Sequence, residues 1–172
     1  MTTQKLRVGI VGCGNIAGPY AKTIKPFDQV EFMGATDVML DRAQALVDLY
    51  GGRVYASLEE MLADDAIDLI VNLTIHHAHP AVITQCLNAG KHVHSEKPLA
   101  MSREEAQRVV ALAEEKGLRL SCSPITFMGE AQQTVWKAIR DGMTGPVRVV
   151  YAEVNWGRIE AWHPNPGPFY DV

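Results

Sequence analysis

Lys5-Leu6-Arg7-Val8-Gly9-Ile10-Val11-Gly12-Cys13-Gly14-Asn15-Ile16-Ala17-Gly18 runs from an apolar stretch straight into a glycine-rich turn. The apolar part reads as a buried strand. The turn, with small residues at Gly12, Gly14 and Ala17, predicts a seat for the pyrophosphate of a dinucleotide. Gly12 lets the chain turn tightly, Gly14 leaves room for a phosphate beside the backbone, and Ala17 lets the next helix pack close to its strand. That helix begins near Asn15 and Ile16, where unpaired N–H groups and the positive end of the helix dipole favour an anion.

A second apolar segment, Val30-Glu31-Phe32-Met33-Gly34-Ala35-Thr36, ends in Asp37. A carboxylate about 20 residues beyond the glycine turn stands where the adenosine ribose is held. It can accept from the ribose hydroxyls and would repel a 2′-phosphate, which favours NAD over NADP. Arg42 is close enough in sequence to flank the adenine or to serve a 2′-phosphate, so NADP stays possible. A capping role for Asp37 at the helix starting near Asp41 is the structural alternative.

The composition is that of an ordinary folded domain: 172 residues, 47% hydrophobic and 21% charged. Sixteen Lys and Arg against 20 Asp and Glu give a net charge of -4, which argues against nucleic acid or an anionic membrane as the main partner. The N-terminus carries no signal-like pattern and no run is long enough to cross a bilayer, so a cytoplasmic location is expected. Cys13, Cys86 and Cys122 are odd in number and widely spaced, which speaks for small buried residues rather than a disulfide framework.

Strand-like and helix-like segments alternate along residues 5–123, the pattern of a parallel sheet with helices on both faces. Strands are expected over 5–11, 30–36, 53–55, 68–74, 92–96 and 118–123, with helices between them. Ser57 and Ser102 each precede a Glu by three residues and predict helix starts. The reading divides the chain into a dinucleotide-binding domain over 1–124 and, over 125–172, the start of an α+β substrate and oligomerisation domain. In the latter a helix over 129–140 leads to a long strand over 147–156. An isolated strand of that length needs partners from elsewhere, which suggests a homo-oligomer built through a sheet this chain barely begins.

Glu96-Lys97-Pro98 falls at the carboxyl end of the fifth strand, the edge where open parallel sheets bind ligands. A lysine there can orient a substrate hydroxyl or carbonyl, and partial burial would suit it to proton transfer. Together with the glycine turn, Asp37, the segment 74–79 and Ala89-Gly90-Lys91-His92-Val93, this motif resembles the Gfo/Idh/MocA family of NAD(P)-dependent oxidoreductases. The resemblance implies a Rossmann-type, doubly wound α/β domain. It implies that Lys97 orients the substrate and assists proton transfer, that the Lys97–Pro98 bond is cis, and that Glu96 lies near the nicotinamide. Leu73, Thr74, His76 and His79 would belong to the loop under the nicotinamide ribose. The expected substrate is a sugar, cyclitol or similar small molecule, its secondary alcohol oxidised or its ketone reduced.

This chain departs from the family after the sixth strand, where Ser123-Pro124-Ile125-Thr126-Phe127 stands in place of an Asn and an Arg before an aromatic residue. Asp171 is a candidate for the Asp of a second catalytic motif. His76, His77, His79, His92 and His94 lack Cys or carboxylate neighbours at ligand spacing, so no metal is expected. Two rival functions share the same features: an NAD-retaining glycoside hydrolase, and a dinucleotide-binding sensor without turnover.

Overall fold

The computed structural model describes residues 5–161, apart from 125, 154 and 156. Two compact units divide the chain, Met1–Pro124 and Ile125–Val172.

The first unit is a six-stranded sheet in the order β3-β2-β1-β4-β5-β6. Its strands are β1 (Leu6–Val11), β2 (Val30–Thr36), β3 (Arg53–Val54), β4 (Leu69–Asn72), β5 (His92–Ser95) and β6 (Leu120–Cys122). Every neighbouring pair is parallel. The intervening helices are α1 (Ala17–Ile24), α2 (Leu40–Tyr50), α3 (Leu58–Leu62), α4 (His79–Asn88) and α5 (Arg103–Glu115). Strand order reverses at β1, so the carboxyl ends of β1 and β4 form the switch point at which sheets of this kind bind ligands.

Side chains alternate across the sheet and fill two separate cores. On one face Val8, Ile10 and Val71 pack with Ala17, Ala21, Ala43 and Leu46 of α1 and α2. On the other, Val11, Ile70 and Val93 pack with Met61, Ile83, Leu87 and Val109 of α3, α4 and α5. Burial of this kind, at about 25 cal/mol per Å² of apolar surface, is what holds marginal local structure in place. Both serine caps form: Ser57 Oγ accepts from Glu60 N and Ser102 Oγ from Glu105 N, each at 3.2 Å.

Lys91 illustrates how position decides a residue's work. It precedes β5, at the opposite edge of the sheet from the strand ends that carry Asp37 and Glu96. Its side chain is buried, and Nζ donates to the carbonyls of Asp64 at 2.8 Å and Ile67 at 2.9 Å. Lys91 therefore ties down the turn that feeds β4 and has a structural task. Cys13 and Cys86 are buried and Cys122 is partly so, all three as free thiols.

The second unit contains α6 (Glu130–Arg140), followed by irregular chain. The long strand expected over 147–156 does not form among the described residues. Val149, Val150 and Tyr151 stand 85%, 80% and 84% exposed, with no neighbouring strand there to supply the hydrogen bonds that define one. Trp136 and Ile139 are exposed on α6. Asp171 lies outside the described residues.

Candidate functional site

Register brings the separated motifs to one edge. Val11 pairs with Thr36 and with Asn72, Asn72 pairs with Ser95, and Ser95 with Cys122. One residue further on, Gly12, Asp37, Leu73, Glu96 and Ser123 form a row across five strand ends. Asp37 and Glu96 follow strands three spacings apart, roughly 14 Å at ~4.8 Å per spacing.

At the switch point Gly12 adopts φ +89°, and a Cβ there would lie 2.7 Å from the backbone of Leu73 and Thr74. The turn can leave β1 against the end of β4 only because this residue is glycine. Gly14 is different: it is exposed, its φ is not in the left-handed region, and a Cβ would meet no protein atom within 4 Å. That open space beside the backbone is what a phosphate group needs. Ala17 is buried at the start of α1, where its N–H bonds to the Gly14 carbonyl at 3.1 Å. No side chain caps α1 and no acidic residue sits in its first turn, so the positive end of the helix is left open to an anion. Asn15 and Ile16 are exposed beside it.

Asp37 is half-buried and uses both carboxylate oxygens. Oδ2 accepts from Cys13 N at 2.6 Å, inside the glycine turn, and Oδ1 accepts from Met39 N at 2.8 Å. Its side chain is not the cap of α2, whose N-cap residue is Met39 with no side-chain bond. Instead it fastens the end of β2 to the turn. Burial and then the Asp37 charge push the Cys13 thiol up to about 12, which leaves it an inert packing group. Arg42 is exposed on the first turn of α2.

Asp37→Ala should weaken NAD by about tenfold or more, the scale of a lost charge-assisted hydrogen bond, and NADP by less, because removing the carboxylate also removes repulsion of the 2′-phosphate. Parallel titrations with NADH and NADPH measure this. Equal losses would leave Asp37 with only its bonds to the Cys13 and Met39 N–H groups.

The loop after β4 is organised from below by Asn72, which is fully buried. Its Oδ1 accepts from Thr74 N at 3.2 Å and Thr74 Oγ1 at 2.7 Å, and its Nδ2 donates to Ser95 Oγ at 3.3 Å. Leu73 turns its side chain into the core and presents only backbone to Gly12. His79 is 1% exposed, with Nδ1 2.7 Å from the Pro98 carbonyl and Nε2 3.0 Å from the Thr74 carbonyl. With one N–H the ring donates to one of these carbonyls, and it lies in contact with both loops from inside. The rings of His76 and His77 lie 4.2 Å apart at the start of the same segment.

Glu96 and Lys97 leave the end of β5, with a cis peptide between Lys97 and Pro98. Lys97 is exposed within this chain. Glu96 Oε2 accepts from the Lys97 N–H at 3.0 Å, and Oε1 accepts from the Tyr20 hydroxyl at 2.7 Å. Burial holds His94, one residue pair back on β5, below the ordinary histidine range, and its Nδ1 lies 2.9 Å from Ser121 Oγ. Among the described residues no group of three His, Cys, Asp or Glu side chains could hold a metal ion, and no helix is long and apolar enough to cross a membrane.

The structure thus gathers Gly12, Gly14, Asn15, Ile16, Ala17, Asp37, Thr74, Glu96 and Lys97 at one edge, and sets Leu73 and His79 behind it as supports. Sequence reading missed Asn72, Ser95 and Tyr20. A polar residue closing the otherwise apolar run Leu69-Ile70-Val71 was a usable signal for Asn72. Tyr20 gave none, since one tyrosine on an amphipathic helix reads as packing.

Residues 6–123 match the family model described as "Oxidoreductase family, NAD-binding Rossmann fold". An inositol 2-dehydrogenase of Salmonella paratyphi B is 30% identical over 118 residues, 67% of this chain and 35% of that protein. The structure of KijD10, a 3-ketoreductase from Actinomadura kijaniata, in complex with NADP and TDP-benzene, has a TM-score of 0.75 at 28% identity and covers 81% of this chain and 43% of that one. GenD2 from gentamicin A biosynthesis, in complex with NAD, has a TM-score of 0.77 at 26% identity, covering 83% of this chain and 41% of that one. The chain spans less than half the length of these three proteins.

Proposed function

Because the chain belongs to the Gfo/Idh/MocA oxidoreductase family, with its NAD-binding Rossmann fold, we propose that it holds NAD across the carboxyl edge of the sheet and serves hydride transfer to or from a secondary alcohol or ketone. The observation that carries this reading is the shared edge: the open space at Gly14, the Asp37 carboxylate and the Glu96-Lys97-Pro98 turn follow the ends of β1, β2 and β5.

The cradle fits the group. Space beside Gly14, the uncapped start of α1 and the N–H groups around Asn15 and Ile16 would receive the pyrophosphate, and Asp37 the ribose hydroxyls. When bound, the dinucleotide supplies the hydride acceptor or donor. In the reducing direction the Lys97 ammonium donates a hydrogen bond and then a proton to the substrate oxygen; in the oxidising direction the neutral Lys97 amine accepts the hydroxyl proton as the hydride leaves the carbon. Glu96, fixed by Tyr20, lies on the nicotinamide side. The names of related proteins, an inositol 2-dehydrogenase and a glucose-6-phosphate 3-dehydrogenase, favour a cyclitol or sugar as substrate, and the NADP complex of KijD10 keeps NADP an alternative to NAD. A homo-oligomer belongs to the same reading, supported by the exposed β-branched run at Val147, Val149 and Val150, which needs a strand to pair with.

The test uses the full-length protein with NAD and a panel of cyclitols, sugars and sugar nucleotides. Net NADH formation with at least one alcohol is expected. Cleavage of a glycoside without net NADH would replace the dehydrogenase by a hydrolase, and tight NAD binding with neither reaction would leave a sensor.

A further inference from the structure

Tyr20 lies in the first turn of α1, the helix that opens on the glycine turn, yet its hydroxyl reaches across to the ends of two other elements. It donates to Glu96 Oε1 at 2.7 Å, after β5, and lies 2.9 Å from Ser123 Oγ, after β6. The ring of His94 faces the same point, its Nε2 3.4 Å from the phenol oxygen and 3.3 Å from Ser123 Oγ, with ring centroids 6.0 Å apart.

The protons in this cluster can be assigned. A phenol has one proton, and the short contact to a carboxylate oxygen uses it. Ser123 Oγ must then donate to the phenol oxygen or to His94 Nε2, never receive from the tyrosine. Burial, aided by the Glu96 charge, pushes the Tyr20 phenol up to about 12, so the proton it gives Glu96 is present at every ordinary pH. The second Glu96 oxygen accepts from the backbone N–H of Lys97 at 3.0 Å. One carboxylate therefore connects α1 to the backbone of the lysine-bearing turn.

We propose that Tyr20 is a positioning residue: its hydroxyl, supported by Ser123, fixes the Glu96 carboxylate, and through the Lys97 N–H it sets the turn that presents the Lys97 side chain at the substrate edge. The inference rests on the proposed role of Lys97. It adds a link that the glycine turn and the Glu96-Lys97-Pro98 motif do not contain, joining the helix that begins at the phosphate cradle to the turn that bears the lysine. Nothing in the packing calls for that hydroxyl, since a phenylalanine would fill the same half-buried space without the cost of burying a phenol.

Tyr20→Phe in the full-length protein keeps the ring and removes the bond. Hydrogen exchange of the Lys97 amide reads the effect directly, because that N–H is held by the carboxylate in question. Exchange is expected to accelerate about tenfold, the equivalent of one lost hydrogen bond, while amides in the middle of β5 stay unchanged and NAD affinity holds within about twofold. Ser123→Ala should give a smaller acceleration at the same amide. With an alcohol that the unaltered protein oxidises, kcat should fall and KM stay level. An unchanged Lys97 amide in Tyr20→Phe would overturn the proposal, as would equal acceleration throughout β5, which marks general loosening. A Lys97→Ala protein with full kcat would instead remove the lysine from catalysis while leaving the exchange result to judge Tyr20, so the two failures are distinguishable.

Discussion

Gly14→Val leaves the protein folded and lowers its affinity for NAD by about 100-fold or more, the loss expected when two or more charge-assisted phosphate contacts are blocked. The expectation is sharp because of what surrounds the residue. A Cβ at Gly14 touches no protein atom within 4 Å and the backbone there is not left-handed, so neither clash nor strain disturbs the native state. The valine side chain starts in the open space assigned to the pyrophosphate. Gly12 is the contrasting case: with φ +89° and the Leu73–Thr74 backbone 2.7 Å from its would-be Cβ, substitution there damages the fold itself. Titration of NADH fluorescence with the thermal transition of the same sample separates the two outcomes. A folded Gly14→Val protein with unaltered affinity would refute the phosphate cradle.

Lys97→Ala in the full-length protein lowers kcat by about 100- to 10,000-fold, the usual contribution of a positioned acid-base group, and leaves NAD binding unchanged. The side chain is exposed and follows the end of β5, so truncation removes little packing. Because the loss falls on the transition state, kcat and kcat/KM should drop together. Fluorescence titration of NADH beside steady-state rates on an alcohol substrate checks both halves. A near-normal kcat would take the lysine out of the chemistry.

Much of this arrangement was legible in the residues. The alternation of apolar runs with capped helices specified a parallel sheet because each signal is local: period, Gly stop, Ser cap. The glycine turn and Asp37 were readable for the same reason, each fixed within a few residues of its own strand. Long-range pairing of polar groups was not readable. Nothing near Tyr20 in sequence announces Glu96 or Ser123, and nothing near His79 announces the Pro98 carbonyl 19 positions on. Asp37 was read as a ligand or a cap, yet it also holds the Cys13 N–H, a bond that exists only once β1 and β2 lie side by side. The strand expected over 147–156 failed for the opposite reason. Its β-branched residues satisfy a local preference, but a strand is completed by a neighbour, and no described residue provides one.

The brace at His79 has a mechanical consequence. Thr74 and Pro98 belong to loops that leave different strands, and a single buried ring lies within hydrogen-bond distance of the carbonyl of each. A shift of either loop alone alters its contact with the shared ring. The ring therefore links the loop after β4 to the Glu96-Lys97-Pro98 turn by contacts that lie outside the sheet, a route by which a displacement at Thr74 is expected to reach Pro98.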